Sequence, residues 1–188
     1  MRPQLEKRYI GEPLTVDPTA RKVVGYPSVF NSPSQDLGGF IEIVRPGAFD
    51  ATLRNNPDIP ALVNHDDGKV VGRTKAGTLK LGTDPKGLRA ELDLPDTTSG
   101  RDLAESMRRG DVDGCSFAFR VRPGGEKWTR SGGQTIRELT DLELVEVSVG
   151  VCFPAYPDAS AAVRSMKEWE GEHRHKLREY RQRLAELA

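Results

Sequence analysis

Over roughly the first hundred residues, apolar and polar positions alternate in short runs that end at Pro, Gly or Asn, the pattern of half-buried strands. "KVVGYPSVFN" (Lys22 to Asn31) and "FIEIVRPGAF" (Phe40 to Phe49) are two such runs. "DIPALVNHDDGKVVGRT" predicts a strand, a turn at Asp66-Asp67-Gly68 and a second strand. "TLKLGTDPKGLRAELDLP" predicts a hairpin around "DPKG". Leu79 and Leu81 alternate on its way in, and Leu88, Ala90, Leu92 and Leu94 on its way out.

Helical spacing interrupts this pattern at two internal places. "PGAFDATLRNN" sets Pro46 near a first turn and puts Phe49 four residues before Leu53. "TSGRDLAESMRRG" offers Thr98 or Ser99 as a cap and Leu103 and Met107 on one stripe. Arg108 and Arg109 suit the negative end of the dipole, and Gly110 supplies a stop. Period two then returns in "GDVDGCSFAFRV", with Cys115, Phe117, Phe119 and Val121 on one side and Ser116, Ala118 and Arg120 on the other. A glycine-bounded connection, "GGEKWTRSGG", leads to "TIRELTDLELVEVSVGVCF". There strict alternation sets Val145, Val147, Val149 and Val151 against Leu142, Leu144, Glu146 and Ser148, with Glu143 in phase with the valines. From Asp158 onward β character disappears. Met166, His173, Leu177, Tyr180, Leu184 and Leu187 form a stripe at spacings of three and four, predicting a long amphipathic helix that suits a docking arm or short coiled coil. The expected fold is therefore mainly β with added helices (α+β), a barrel or sandwich over residues 1–160 followed by a charged helical tail over residues 161–188.

The composition, 36% hydrophobic with 19 glycines in 188 residues, is that of a globular chain with a real core. Lys plus Arg and Asp plus Glu balance at 28 each, which argues against a general nucleic-acid or membrane-surface binder. Cys115 and Cys152 have no CxxC spacing and read as small buried apolar residues in a reducing compartment, so neither a disulfide framework nor a zinc site is expected. Without a signal-like N-terminus or a long apolar run, the expectation is a soluble intracellular protein.

Candidate chemistry rests on three residues. His65 closes the apolar run "ALVNHDD" at a strand-turn boundary, whereas His173 and His175 lie two apart on the charged tail and would point in different directions from a helix. Glu146 is a carboxylate in the middle of a valine strand, where burial is expensive, and Ser116 lies opposite a phenylalanine face. A serine hydroxyl is a weak nucleophile until an imidazole takes its proton, and the imidazole works best when an anion fixes its tautomer. Ser116, His65 and Glu146 suit those roles in that order. There is no GxSxG elbow and no Gly-rich phosphate loop, which disfavours an α/β-hydrolase and a nucleotide enzyme, and no cofactor is expected.

Read in order, "GYPSVFN", "EIVRPGAFDATL", "ALVNHDDGKVVGRT", "GLRAELDLPDT", "MRRGDVDGCSFAF" and "LELVEVSVGVCFPAYPDA" cover about Val23 to Val163. This ordered set resembles the prohead (capsid maturation) serine protease family of tailed phages and prophages, whose fold is similar to that of the herpesvirus assembly proteases. The resemblance implies a β-barrel ringed by helices and a serine endopeptidase working inside the assembling procapsid in the host cytoplasm. It implies Ser116 as nucleophile and His65 as general base. The herpesvirus relatives use a second histidine as the third member; here an acid takes that place, Glu146 first and Glu143 in reserve. Cys115 reads as packing, and backbone amides are the generic oxyanion donors. The implied partners are the major capsid protein or its scaffold domain, and the chain itself through autoprocessing or a dimer, with no nucleic acid and no membrane. Two alternatives stay open: a non-catalytic scaffold or shell-binding module with the same barrel, and an esterase using the same triad.

Overall fold

The alternating runs become strands in the computed structural model, which describes residues 4–10, 14–17, 21–55, 57–151 and 160–186. In chain order the elements are β1 (Glu6–Ile10), β2 (Thr15–Asp17), β3 (Lys22–Val29), β4 (Phe40–Val44), α1 (Asp50–Arg54), β5 (Pro60–Val63), β6 (Asp66–Arg73), β7 (Leu79–Thr83) and β8 (Gly87–Asp93). They continue with α2 (Thr98–Arg109), β9 (Gly114–Val121), β10 (Glu126–Ser131), β11 (Gln134–Leu139), β12 (Leu142–Val151) and α3 (Ser160–Glu186). The mainly β expectation with a few helices holds.

The barrel expectation does not hold as a ring of hydrogen bonds. Among the described residues the strands form three sheets, ordered β1-β9-β12-β5-β6, β10-β11-β4 and β2-β3-β8-β7. Side-chain packing joins them where ladders do not: β3 lies against β1 and β9, and β6 against β7. One core fills the space between the sheets, with Phe30, Phe49, Phe117 and Phe119 in a continuous aromatic row. Phe117 and Phe119 point inward from β9, which fixes Ser116 and Ala118 on its other face.

Local chemistry explains where the elements differ from the sequence pattern. The "GGEKWTRSGG" connection is the first arm of a hairpin, β10 pairing with β11 from Ser131↔Gln134 onward. Gly132 and Gly133, with φ of 58° and 84°, form the two-residue turn of opposite twist that hairpins prefer. The α2 cap is Thr97, one residue before the expected pair, its hydroxyl accepting from Gly100 N at 3.2 Å, while Gly110 ends the helix at φ 77°. α1 is a short helix, tied down by Thr52, whose Oγ1 donates to Leu142 O at 2.6 Å. In β12 a bulge at Val145 shifts the register between Leu144↔Phe119 and Glu146↔Ala118. Leu142 and Leu144 therefore join Val147 and Val149 in the core, and Glu143 leaves the valine phase to sit across from Arg120.

A network of buried ions lies where β1, β4, β10 and β11 meet. Arg137, 2% exposed, donates through Nη1 to Glu6 Oε2 at 2.7 Å and Glu42 Oε2 at 2.9 Å, and through Nε to Glu126 Oε2 at 2.6 Å. Arg8 donates through Nε to Glu42 Oε1 at 2.8 Å and through Nη2 to Glu6 Oε2 at 2.6 Å. Burial alone would raise the Glu6 carboxyl; the guanidiniums of Arg137 and Arg8 more than reverse this and hold it below its ordinary 4.5. Burial works against charge on Arg137 as well, and its carboxylate partners outweigh it, raising its already high value.

α3 packs its first turns onto this region, with Ala162 and Met166 against Leu37, Phe40 and Trp128, and Ser165 Oγ donating to Glu126 Oε1 at 2.6 Å. Its described side chains beyond Glu170 are exposed. Of the expected stripe, Leu187 and the side chains of Leu177, Tyr180 and Leu184 lie outside the described residues, as does Cys152. No helix among the described residues is long and apolar enough to cross a membrane.

Candidate active site

His65 sits at a hairpin tip. Val63 pairs with Asp66, so Asn64 and His65 are the two central residues of the turn, at φ 48° and 60°. This turn lies two residues earlier than the Asp66-Asp67-Gly68 expectation. Asn accepts the left-handed conformation that a primed turn demands, and Gly68 instead closes an Asx turn on Asp66 Oδ1 at 2.9 Å. The tip is pinned to β12 by Asn64 N donating to Val149 O at 3.2 Å and His65 N donating to Ser148 Oγ at 2.9 Å.

The imidazole meets Glu146, with Nδ1 to Oε1 at 2.5 Å. Ser148 Oγ donates to the other carboxylate oxygen, Oε2, at 2.9 Å. Glu146 is buried, so these two bonds are what make its charge tolerable. When Nδ1 donates to the carboxylate, Nε2 carries the ring's lone pair, the tautomer that a general base requires.

Ser116 lies directly across the ladder from Ser148, on the same face as Glu146 and Ser148. Directly paired residues in antiparallel strands have Cα atoms about 5 Å apart. Its hydroxyl donates to Arg8 O of β1 at 2.7 Å, and the residue is 1% exposed. Tyr9 flanks it on the other side, so Tyr9, Ser116 and Ser148 form a row across three strands. The tyrosine ring lies over Gly114, where a Cβ would come within 2.2 Å of it.

The remaining candidates are placed elsewhere. Glu143 pairs with Arg120 at 3.8 Å on an exposed edge of the ladder. Cys115 faces the core, where burial pushes its thiol up to about 12 and keeps it protonated and unreactive. His173 stacks on Trp169 at 5.4 Å, and His175 pairs with Glu179 at 3.5 Å. Among the described residues no group of His, Cys, Asp and Glu could hold a metal ion. Ser148 carried a signal that the sequence reading left unused: two polar residues two apart, "EVS", in a run of valines. The ion network left a fainter one, the opposite charges of Glu6 and Arg8 at strand spacing.

No curated protein matches the chain. Among solved structures, the capsid assembly protease gp21 of bacteriophage T4 has a similar fold. Its TM-score is 0.52 at 12% identity, over 80% of this chain and 100% of that one. The family described as caudovirus prohead serine protease matches residues 13–173, a span that holds the His65 hairpin, the Ser116 strand, the Glu146 strand and the first half of α3. By that match the chain belongs to the caudovirus prohead serine protease family.

Proposed function

We propose that the chain is a serine endopeptidase of phage head maturation that cleaves scaffold segments of the major capsid protein inside the assembling procapsid. The single observation that carries this reading is the His65 Nδ1 contact with Glu146 at 2.5 Å, on the sheet face that also bears Ser116. Family membership supports a protease, and the family's name implies serine chemistry.

In this reading Ser116 Oγ turns from Arg8 O toward His65 Nε2, gives up its proton there and attacks the scissile carbonyl carbon. Nε2 then passes the proton to the leaving amine as the carbon–nitrogen bond breaks, leaving an acyl ester on Ser116. Water, deprotonated by the same nitrogen, releases the acid and restores the serine hydroxyl. Glu146 keeps its charge throughout and stabilises the imidazolium. Removal of the scaffold segment is irreversible and so gives shell maturation a direction. Residues 1–160 form the protease body in this account, and residues 161–188 an arm for encapsidation or self-processing; a dimer is what the resemblance to herpesvirus assembly proteases implies.

The non-catalytic shell-binding reading draws on one observation, that the Ser116 hydroxyl is sealed and bonded to a backbone carbonyl. Co-expression with the capsid protein, followed by mass spectrometry of the termini, separates the two. Wild type generates new termini and Ser116→Ala does not. Retained cleavage by Ser116→Ala, or no labelling of Ser116 by a fluorophosphonate, refutes the protease reading.

A further inference from the structure

We propose that Ser148 is a positioning residue, one that holds the His65 imidazole and the Glu146 carboxylate together over Ser116; this rests on the protease reading above. Ser148 is 0% exposed, between Val147 and Val149 in a buried stretch of β12, where a hydroxyl is costly unless both of its hydrogen-bonding roles are used. Both are used, and on the two halves of one catalytic pair. The hydroxyl donates to Glu146 Oε2 at 2.9 Å and accepts from His65 N at 2.9 Å.

The turn needs that restraint. Two successive non-glycine residues at positive φ are disfavoured by about 1–2 kcal/mol each unless their surroundings hold them. Of the two bonds from the tip's backbone N–H groups to β12, Asn64 N to Val149 O is backbone alone; the one from His65 N depends on the Ser148 side chain. Without the hydroxyl, Glu146 has a buried oxygen with no donor and is free to rotate away from Nδ1, and the imidazole loses its anchor. A displacement of about 1 Å at a catalytic group is enough to lower turnover by on the order of 100-fold. The one proton of the Ser148 hydroxyl goes to Glu146, so it has none to donate to a bound peptide.

The test uses the full chain, a peptide spanning the cleavage site mapped with wild type, and proton NMR of the His65 Nδ1 hydrogen. Ser148→Ala is expected to lower kcat by about 100-fold with KM within about twofold, and to lower the melting temperature while leaving the chain folded at the assay temperature, because a buried carboxylate oxygen loses its donor. The downfield Nδ1 proton resonance should shift or vanish, which a merely structural role with an intact His65–Glu146 bond would not cause. Should the alanine variant not fold, Ser148→Cys keeps the volume, offers a much weaker donor and acceptor, and carries the same expectation. Wild-type kcat together with an unmoved resonance overturns the proposal. Absence of fluorophosphonate label on Ser116 in wild type is a separate outcome, which overturns the protease reading and the positioning role with it.

Discussion

Two groups of charged and polar side chains are largely buried in this fold, and their bonding differs in a way that separates structure from chemistry. In the Glu6–Arg8–Glu42–Arg137 network, bidentate guanidiniums meet carboxylates on several sides, and Glu126 closes the edge. In the second group, Glu146 has two partners, and among the described residues the other nitrogen of His65 has none. Satisfying every donor gives rigidity, because each bond restrains the others. Leaving one basic nitrogen without a partner gives a group that can accept a proton. Both arrangements carry a desolvation cost; only the second retains a capacity to react.

Substitutions should divide along that line. The largest effect belongs to the incomplete site: Ser116→Ala is expected to lower turnover by at least about 10⁴-fold. Its melting should barely move, since the lost hydroxyl-to-carbonyl bond contributes only about 1 kcal/mol. Calorimetry beside the processing assay checks both halves. Arg137→Leu should do the reverse, destabilising the fold by about 3–5 kcal/mol because it leaves three carboxylates facing one remaining guanidinium. Denaturant melts read that loss, and a wild-type midpoint would mean the network is ornamental. Acid offers a milder probe. The folded Glu6 carboxyl is held below its ordinary 4.5, so its contribution is fully present above that pH and is lost as the pH falls through the folded value. Wild-type stability should therefore drop below about pH 4 more steeply than that of Glu6→Gln, as followed by melting temperature across acidic buffers. The smallest change is expected at the neighbour of Ser116. Cys115→Ala should cost about 1–2 kcal/mol from lost packing and leave cleavage intact. Abolished cleavage with a folded chain would move the chemistry from Ser116 to Cys115.

Much of this was readable beforehand where one rule decides the outcome. The "DPKG" hairpin formed between β7 and β8 because Asp84 Oδ1 accepts from Lys86 N at 2.7 Å and Gly87 N at 3.2 Å, a purely local device. Glu146 and Ser116 were assigned to the right faces because alternation is also local. Failures came where one added residue or a distant partner decides. The bulge at Val145 reverses the phase of everything before it, so Leu142, Leu144 and Glu143 were put on the wrong sides. The ion network joins Glu6 to Arg137 across more than half of the chain, and no window along a sequence contains both. His65 stands out by residue type and boundary position, but the left-handed turn that carries it is visible only in three dimensions.

Strand β1 serves both groups at once. The Arg8 side chain ends among the carboxylates, and its carbonyl holds the hydroxyl of Ser116. A cut ahead of Glu6 would trim the chain without touching either, whereas loss of residues through Ile10 would remove a counter-charge and the resting acceptor together. Any trimming at the amino end therefore has a natural stopping point, beyond which the frame that holds the proposed nucleophile comes apart.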